Sequence, residues 1–157
     1  MHPNDYCFRS IDYLLLDVRE PWDYTKSHIT TAVNAPYPLL VSMPPPIVIA
    51  KLVDVNSRAV KSSHSGGDVN REDDKAVLAR RLIFHCTLSL VRGPTAAVKV
   101  RWALDTVLRD RARREEVGLG AGVEIPEISV LDGGFVGWSR RYGKGGEEER
   151  RYLVGNA

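Results

Sequence analysis

Cys86 and Arg92 are separated by five residues in the run Phe84-His85-Cys86-Thr87-Leu88-Ser89-Leu90-Val91-Arg92-Gly93-Pro94. A thiolate is a strong nucleophile toward phosphorus, arsenic or sulfur, and a guanidinium offers a planar fork that matches two oxygens of a tetrahedral anion. The chemistry indicated is attack by Cys86 on an oxyanion gripped by Arg92. That requires the intervening residues, Thr87, Leu88, Ser89, Leu90 and Val91, to form a loop whose backbone N–H groups face the same anion. Ser89 has two possible tasks: donating to the sulfur, or bracing the loop with its hydroxyl. His85 can tune the thiolate or fix the loop through its ring nitrogens.

The flanking segments have the character such a loop needs. Residues 76–84 contain Val77, Leu78, Leu82, Ile83 and Phe84, an apolar run that predicts a buried strand. Pro94 suits a first helical turn, and Ala97, Val100, Leu104, Val107 and Leu108 follow at helical spacing. The loop is therefore expected at a helix N-terminus, where unpaired N–H groups and the helix dipole favour an anion. A thiol placed there beside a cation is expected to react as its thiolate.

His85 to Pro94 resembles the active-site loop H-C-x-x-S-x-x-R-G-P of the cell-cycle dual-specificity phosphatases and of the related eukaryotic arsenate reductases, both of rhodanese fold. Two further runs support the resemblance. Asp17-Val18-Arg19, with Tyr24, His28-Ile29, Ala32 and Asn34, is similar to the early rhodanese signature, and Leu131-Asp132-Gly133-Gly134-Phe135 with Trp138 to its late strand-to-helix turn. The resemblance implies a single rhodanese-like domain of the α/β class, with a mainly parallel sheet and helices on both faces. It also implies that Asp17 and Arg19 brace the loop from a neighbouring strand and that His28 and His85 support the fold. Among the carboxylates, Asp17 is the first candidate for a general acid, with Asp132 and Glu20 behind it.

The chain departs from the phosphatase pattern at three positions. Thr87 and Val91 stand where the cell-cycle phosphatases carry acidic residues, which favours the arsenate-reductase and small-phosphatase branch. Val18 stands where the family's backdoor cysteine lies, so that route to a protective disulfide is closed, and whether Cys7 approaches Cys86 is left open. A rhodanese sulfurtransferase usually has a loop one residue shorter, and the seven residues from Cys86 to Arg92 suit a tetrahedral anion better. The implied reactions run through a thiophosphate or a thiol-arsenate adduct, with glutathione and glutaredoxin as reductants for arsenate and no bound cofactor. A sulfurtransferase and a non-catalytic interaction module are the alternatives.

Elsewhere the chain alternates strand and helix. Strands are predicted at residues 13–18, 32–35 and 125–131, and a short helix at 20–27 is opened by Pro21. The run Pro44-Pro45-Pro46 opens another helix with its apolar body at 47–55. Residues 56–75 are polar and read as a mobile surface insertion, and 144–157 as a flexible tail, leaving a domain at 1–143. The resemblance calls for a strand and helix ahead of Asp17; with only residues 1–12 there, either that edge is shortened or another segment covers it. Arg109, Arg111, Arg113 and Arg114 read as a solvated helix end.

At 157 residues, 43% of them hydrophobic, the chain can bury a sizeable core. A net charge of +2 creates no strong field, which argues against nucleic acid as the partner. Two cysteines provide neither a disulfide framework nor metal-ligand spacing. With no signal-like or membrane-length apolar run, the expectation is a reducing compartment, cytoplasmic or nuclear, and a phosphate ester, a phosphoprotein or arsenate as substrate.

Overall fold

One of the two inner strands of the sheet is also its most apolar. A computed structural model of the protein describes residues 13–62, 78–143 and 153–155. In it β1 (Tyr13–Asp17) pairs in parallel with β3 (Ala32–Asn34) on one side and β4 (Arg81–His85) on the other. Leu14, Leu15 and Leu16 are all buried, as expected of a parallel strand covered on both faces. With β5 (Glu127–Val130) beside β4, the sheet order is β3-β1-β4-β5 and every pairing is parallel.

Helices cover both faces, as the sequence predicts. Alternation along the strands sends Leu14, Leu16, Leu82 and Phe84 into a larger core shared with Leu40 of α2 (Tyr37–Ser42), with Val48, Ile49 and Leu52 of α3 (Pro45–Ser62), and with α4 (Arg92–Leu108). Leu15 and Ile83 point to the other face, where they meet Tyr24 of α1 (Pro21–Lys26) and Phe135 and Trp138 of α6 (Gly134–Tyr142). The register sets Asp17 opposite both His85 and Asn34. The carboxyl ends of β1, β3 and β4 therefore finish together, and the Cys86 loop leaves from that edge, where ligands bind in open α/β sheets.

Several element bounds differ from the sequence expectation. β4 begins at Arg81, with Leu78 to Arg80 irregular, and α4 begins at Arg92, two residues before Pro94. β5 is shorter than the strand expected at 125–131, and Pro126 immediately precedes it. The arginine cluster is not one helix end, because Asp110 starts a new helix, α5 (Arg111–Glu116), by accepting from the Ala112 and Arg113 N–H groups at 3.0 and 3.4 Å. Residues 56–62 continue α3 rather than opening an insertion. Asn56 is buried there, Ser57 Oγ donates to the Val53 carbonyl at 2.9 Å, and Arg58 pairs with Asp54 at 2.8 Å. Of the expected tail, Leu153–Gly155 forms β6, antiparallel to β2 (Ser27–Ile29). Residues 1–12, 63–77, 144–152 and 156–157, with Cys7 among them, lie outside the described residues.

α4 joins the core to the loop. Its inner face is Gly93, Ala96, Ala97, Val100, Ala103, Leu104 and Val107, all buried. Leu104 is fully enclosed, so Leu104→Ala is expected to lower unfolding stability by about 2–5 kcal/mol. A urea midpoint unchanged from wild type would show that α4 is not packed as described.

Candidate active site

Cys86 follows the last residue of β4 and is almost entirely buried. The chain then turns sharply through Ser89, whose φ of 55° is left-handed. That conformation costs a non-glycine residue roughly 1–2 kcal/mol, and such strain persists where the surroundings impose it. Here the two residues clasp each other. The Ser89 N–H donates to Cys86 Sγ at 3.2 Å, and the Cys86 N–H donates to Ser89 Oγ at 3.4 Å. The hydroxyl oxygen thus braces the loop, and the Ser89 backbone N–H is directed at the sulfur.

Arg92 is the first residue of α4 and is half-buried. Its Nη2 donates to Thr87 Oγ1 at 3.2 Å, across the loop. Thr87 therefore tethers the guanidinium, a role that sequence reasoning did not assign to it. Leu88, Leu90 and Val91 turn their side chains into solvent.

The loop is held from behind by α6. Phe135 N–H donates to the Cys86 carbonyl at 2.9 Å and Val136 N–H to the Thr87 carbonyl at 3.0 Å. At Gly134 the backbone approaches so closely that a Cβ would lie 2.6 Å from the Cys86 carbonyl oxygen and 2.8 Å from that of Thr87. Gly134 also has φ +56°, so it resists substitution on two grounds. The paired glycines after a strand were the visible signal, but their distance from Cys86 in sequence concealed what they touch.

Asp17 and Arg19 support this arrangement from the next strand. The fully buried Asp17 carboxylate accepts from Arg19 Nε at 2.9 and 3.0 Å, from Nη2 at 2.6 Å and from the Arg19 N–H at 3.0 Å. Arg19 Nη2 also reaches the Ser27 carbonyl at 2.8 Å, and the guanidinium lies 3.9 Å over the Phe135 ring. The chain of contacts runs from Asp17 through Arg19 and Phe135 to the Cys86 carbonyl. This corrects the placing of Asp17 as first candidate for the general acid, because its carboxylate is sealed from solvent and saturated by Arg19.

The other expected residues separate clearly. Glu20 begins α1, its carbonyl accepting from Asp23 and Tyr24 N–H groups, and Asp132 stands exposed in the turn into α6. His28 stacks on Tyr24 at 3.9 Å and its Nδ1 lies 2.9 Å from the Tyr24 carbonyl, a supporting position. His85 is fully buried, with Nδ1 3.4 Å from the Cys86 carbonyl and Nε2 3.7 Å from Asp17 Oδ2. Burial draws its imidazole below the ordinary range, against the smaller opposing pull of the Asp17 carboxylate. His85 is therefore a neutral donor to the loop.

Among the described residues, no group of three or more His, Cys, Asp or Glu could hold a metal ion, and no helix is long and apolar enough to cross a membrane. A surface cavity of about 440 Å³, lined by Leu78, Arg80, Gly120 and Pro126 among others, lies at the opposite, amino ends of β4 and β5. It is separate from Cys86 and Arg92, which stand at the carboxyl end of β4.

Comparison with known proteins agrees with this geometry. The family model of the rhodanese-like domain matches residues 8–141. The dual specificity phosphatase ibp1 of Schizosaccharomyces pombe is 37% identical over 81 residues, 48% of this chain and 56% of that protein. M-phase inducer phosphatase 2 of Homo sapiens is 31% identical over 123 residues, 78% of this chain and 16% of that protein. The chain thus spans little more than half of one curated relative and a small part of the other. Among solved structures, Ygr203w, a yeast protein tyrosine phosphatase of the rhodanese family, superposes with a TM-score of 0.53 at 26% identity, covering 92% of this chain and 77% of that one. The As-Sb reductase of Leishmania major shares the fold, with a TM-score of 0.51 at 20% identity over 91% of this chain and 78% of that one.

Two outcomes follow from the geometry. Gly134→Ala must push the loop off α6, so phosphate or vanadate affinity is expected to fall at least ~10-fold, the equivalent of one lost charge-assisted hydrogen bond, with the thermal transition still cooperative. Unchanged anion affinity would show that the loop does not depend on this contact. Because His85 is held neutral, the unfolded chain binds a proton that the native chain refuses, so stability present above pH ~6.5 is lost as pH falls below it. Urea midpoints measured on both sides of that pH should show this slope, and His85→Gln should flatten it.

Proposed function

The chain belongs to the rhodanese-like domain family, and from that premise we propose that it is a cysteine-based enzyme acting on a tetrahedral oxyanion, with Cys86 as nucleophile and Arg92 as the anion's cationic partner. The reading is supported by its curated relatives, which are phosphatases, and by the rhodanese-family tyrosine phosphatase whose structure it resembles. The observation that carries the finer reading is the Ser89 N–H directed at Cys86 Sγ within a loop spanned by Arg92 and Thr87. A backbone N–H directed at the sulfur beside a guanidinium supports a nucleophilic cysteine next to a site for negative oxygens.

In the phosphatase reaction the Cys86 thiolate attacks phosphorus in line, the P–O bond to the leaving group breaks, and the departing oxygen takes a proton. Arg92 and the loop N–H groups hold the equatorial oxygens. Water then attacks the thiophosphate, releasing phosphate and restoring the thiolate. Of the three carboxylates considered, Asp17 is spent on Arg19, which leaves Glu20 and the exposed Asp132 as candidates to supply the proton.

Arsenate reduction is the second reading, favoured by the neutral Thr87 and Val91. Cys86 displaces hydroxide from arsenate to give a thiol-arsenate adduct. A glutathione thiolate then attacks the Cys86 sulfur, the S–As electron pair passes to arsenic as arsenite leaves, and glutaredoxin reduces the mixed disulfide. A thiol that must stay reduced suits a cytoplasmic or nuclear setting.

Parallel assays with p-nitrophenyl phosphate, with arsenate plus glutathione and glutaredoxin, and with thiosulfate plus cyanide separate phosphatase, reductase and sulfurtransferase. Cys86→Ser is expected to abolish turnover of the first two with folding intact. Arg92→Lys keeps the charge and loses the fork, so oxyanion affinity should fall by about 1.5–3 kcal/mol. Ordinary activity in Cys86→Ser would remove the nucleophile. A wild-type protein active only with thiosulfate would replace the reading by sulfur transfer, and one inactive in all three would leave an interaction module.

A further inference from the structure

Four of the five most exposed large apolar side chains among the described residues lie on the loop and α4. They are Leu90 at 75%, Val91 at 68%, Val98 at 70% and Trp102 at 57%. Helical hydrogen bonding already includes Val91, whose carbonyl accepts from the Thr95 N–H at 2.9 Å. At 100° per residue Val91, Val98 and Trp102 lie within about 20° of one line along the helix. The buried residues Ala96, Val100 and Val107 centre on the opposite side. The ridge is apolar at Val91, Val98 and Trp102, with Thr95 between the first two and Lys99 Nζ 5.9 Å over the Trp102 ring, and one end of it is the residue preceding Arg92.

We infer that the ridge is a docking surface for a phosphorylated protein substrate, which lays an apolar side chain along α4 while its phosphoryl group enters the Cys86 loop. The inference rests on the phosphatase reading and deepens it. Continuity decides the occupant, since whatever carries a phosphoryl group into the loop must leave the rest of itself beside Leu90 and Val91. Area argues against a second copy of this chain. Four side chains present a few hundred Å² at most, whereas a stable interface buries ~800 Å² per partner, so the ridge suits a transient contact. A bare oxyanion such as arsenate would not reach it.

Geometry also fixes the reach. From Val91 to Trp102 is eleven residues of helix, or ~16 Å at 1.5 Å per residue, and an extended peptide covers ~3.3 Å per residue. With the phosphorylated residue beside Val91, the apolar side chain that meets Trp102 lies about five positions from it.

The test uses the full chain and phosphopeptides in which a single leucine is moved stepwise away from the phosphorylated residue in an otherwise alanine background. The wild type is expected to show a kcat/KM maximum with leucine about five positions away. The double variant Val98→Ser, Trp102→Ser should lose that maximum, by ~10-fold or more, and leave p-nitrophenyl phosphate turnover unchanged, because both side chains are exposed and outside the loop. A flat leucine profile in the wild type, or an equal loss on p-nitrophenyl phosphate and phosphopeptide, would overturn the docking inference alone. A wild-type protein that hydrolyses no phosphoester would overturn the phosphatase reading and the inference with it. A wild-type dimer in light scattering that the double variant abolishes would assign the ridge to self-association instead.

Discussion

A loop that binds an anion with backbone N–H groups must dispose of its carbonyls, because each peptide unit that turns its donor inward turns its acceptor outward. Outward here means into the protein, where an unpaired carbonyl is costly. The N-terminus of α6 resolves this, since a helix start has N–H groups with no partners of their own. Phe135 and Val136 direct theirs at the Cys86 and Thr87 carbonyls. The absent side chain at Gly134 lets the two backbones meet, and the left-handed Ser89 completes the turn that brings its own N–H back to the sulfur.

The buried charges serve the same end. Isolated, the Asp17 carboxylate would be expensive inside the fold. Paired with Arg19 and a backbone N–H it becomes a rigid anchor, and Arg19 extends that anchor to the Phe135 ring. Burial draws His85 toward its neutral form beside the same carboxylate. A third strand joins the same support through Asn34, whose Nδ2 donates to the Asp17 and Arg19 carbonyls at 3.0 Å each.

Local order made much of this legible before the structure. The strand into Cys86, the helix after it, the parallel sheet and the Asp17–Arg19 brace all follow from short-range patterns or from motifs held within a few residues. α2 and β6 escaped because a six-residue helix and a three-residue strand depend on tertiary partners rather than on periodicity. The extension of α3 through residues 56–62 escaped because its polar residues read as loop, although Asn56 is buried and Ser57 and Arg58 bond back along the helix. The clasp of α6 on the loop joins residues far apart in sequence, and nothing local to Gly134 indicates which backbone lies against it.

The most direct test of Cys86 as the reacting atom is to quench the enzyme in acid during turnover with p-nitrophenyl phosphate, or with arsenate before glutathione is added, and to map the modified peptide by mass spectrometry. A covalent phosphoryl or arsenate adduct on Cys86, formed at a rate no slower than turnover and absent after preincubation with vanadate, is the predicted result. Turnover that continues with Cys86 unmodified at every time point would contradict the account.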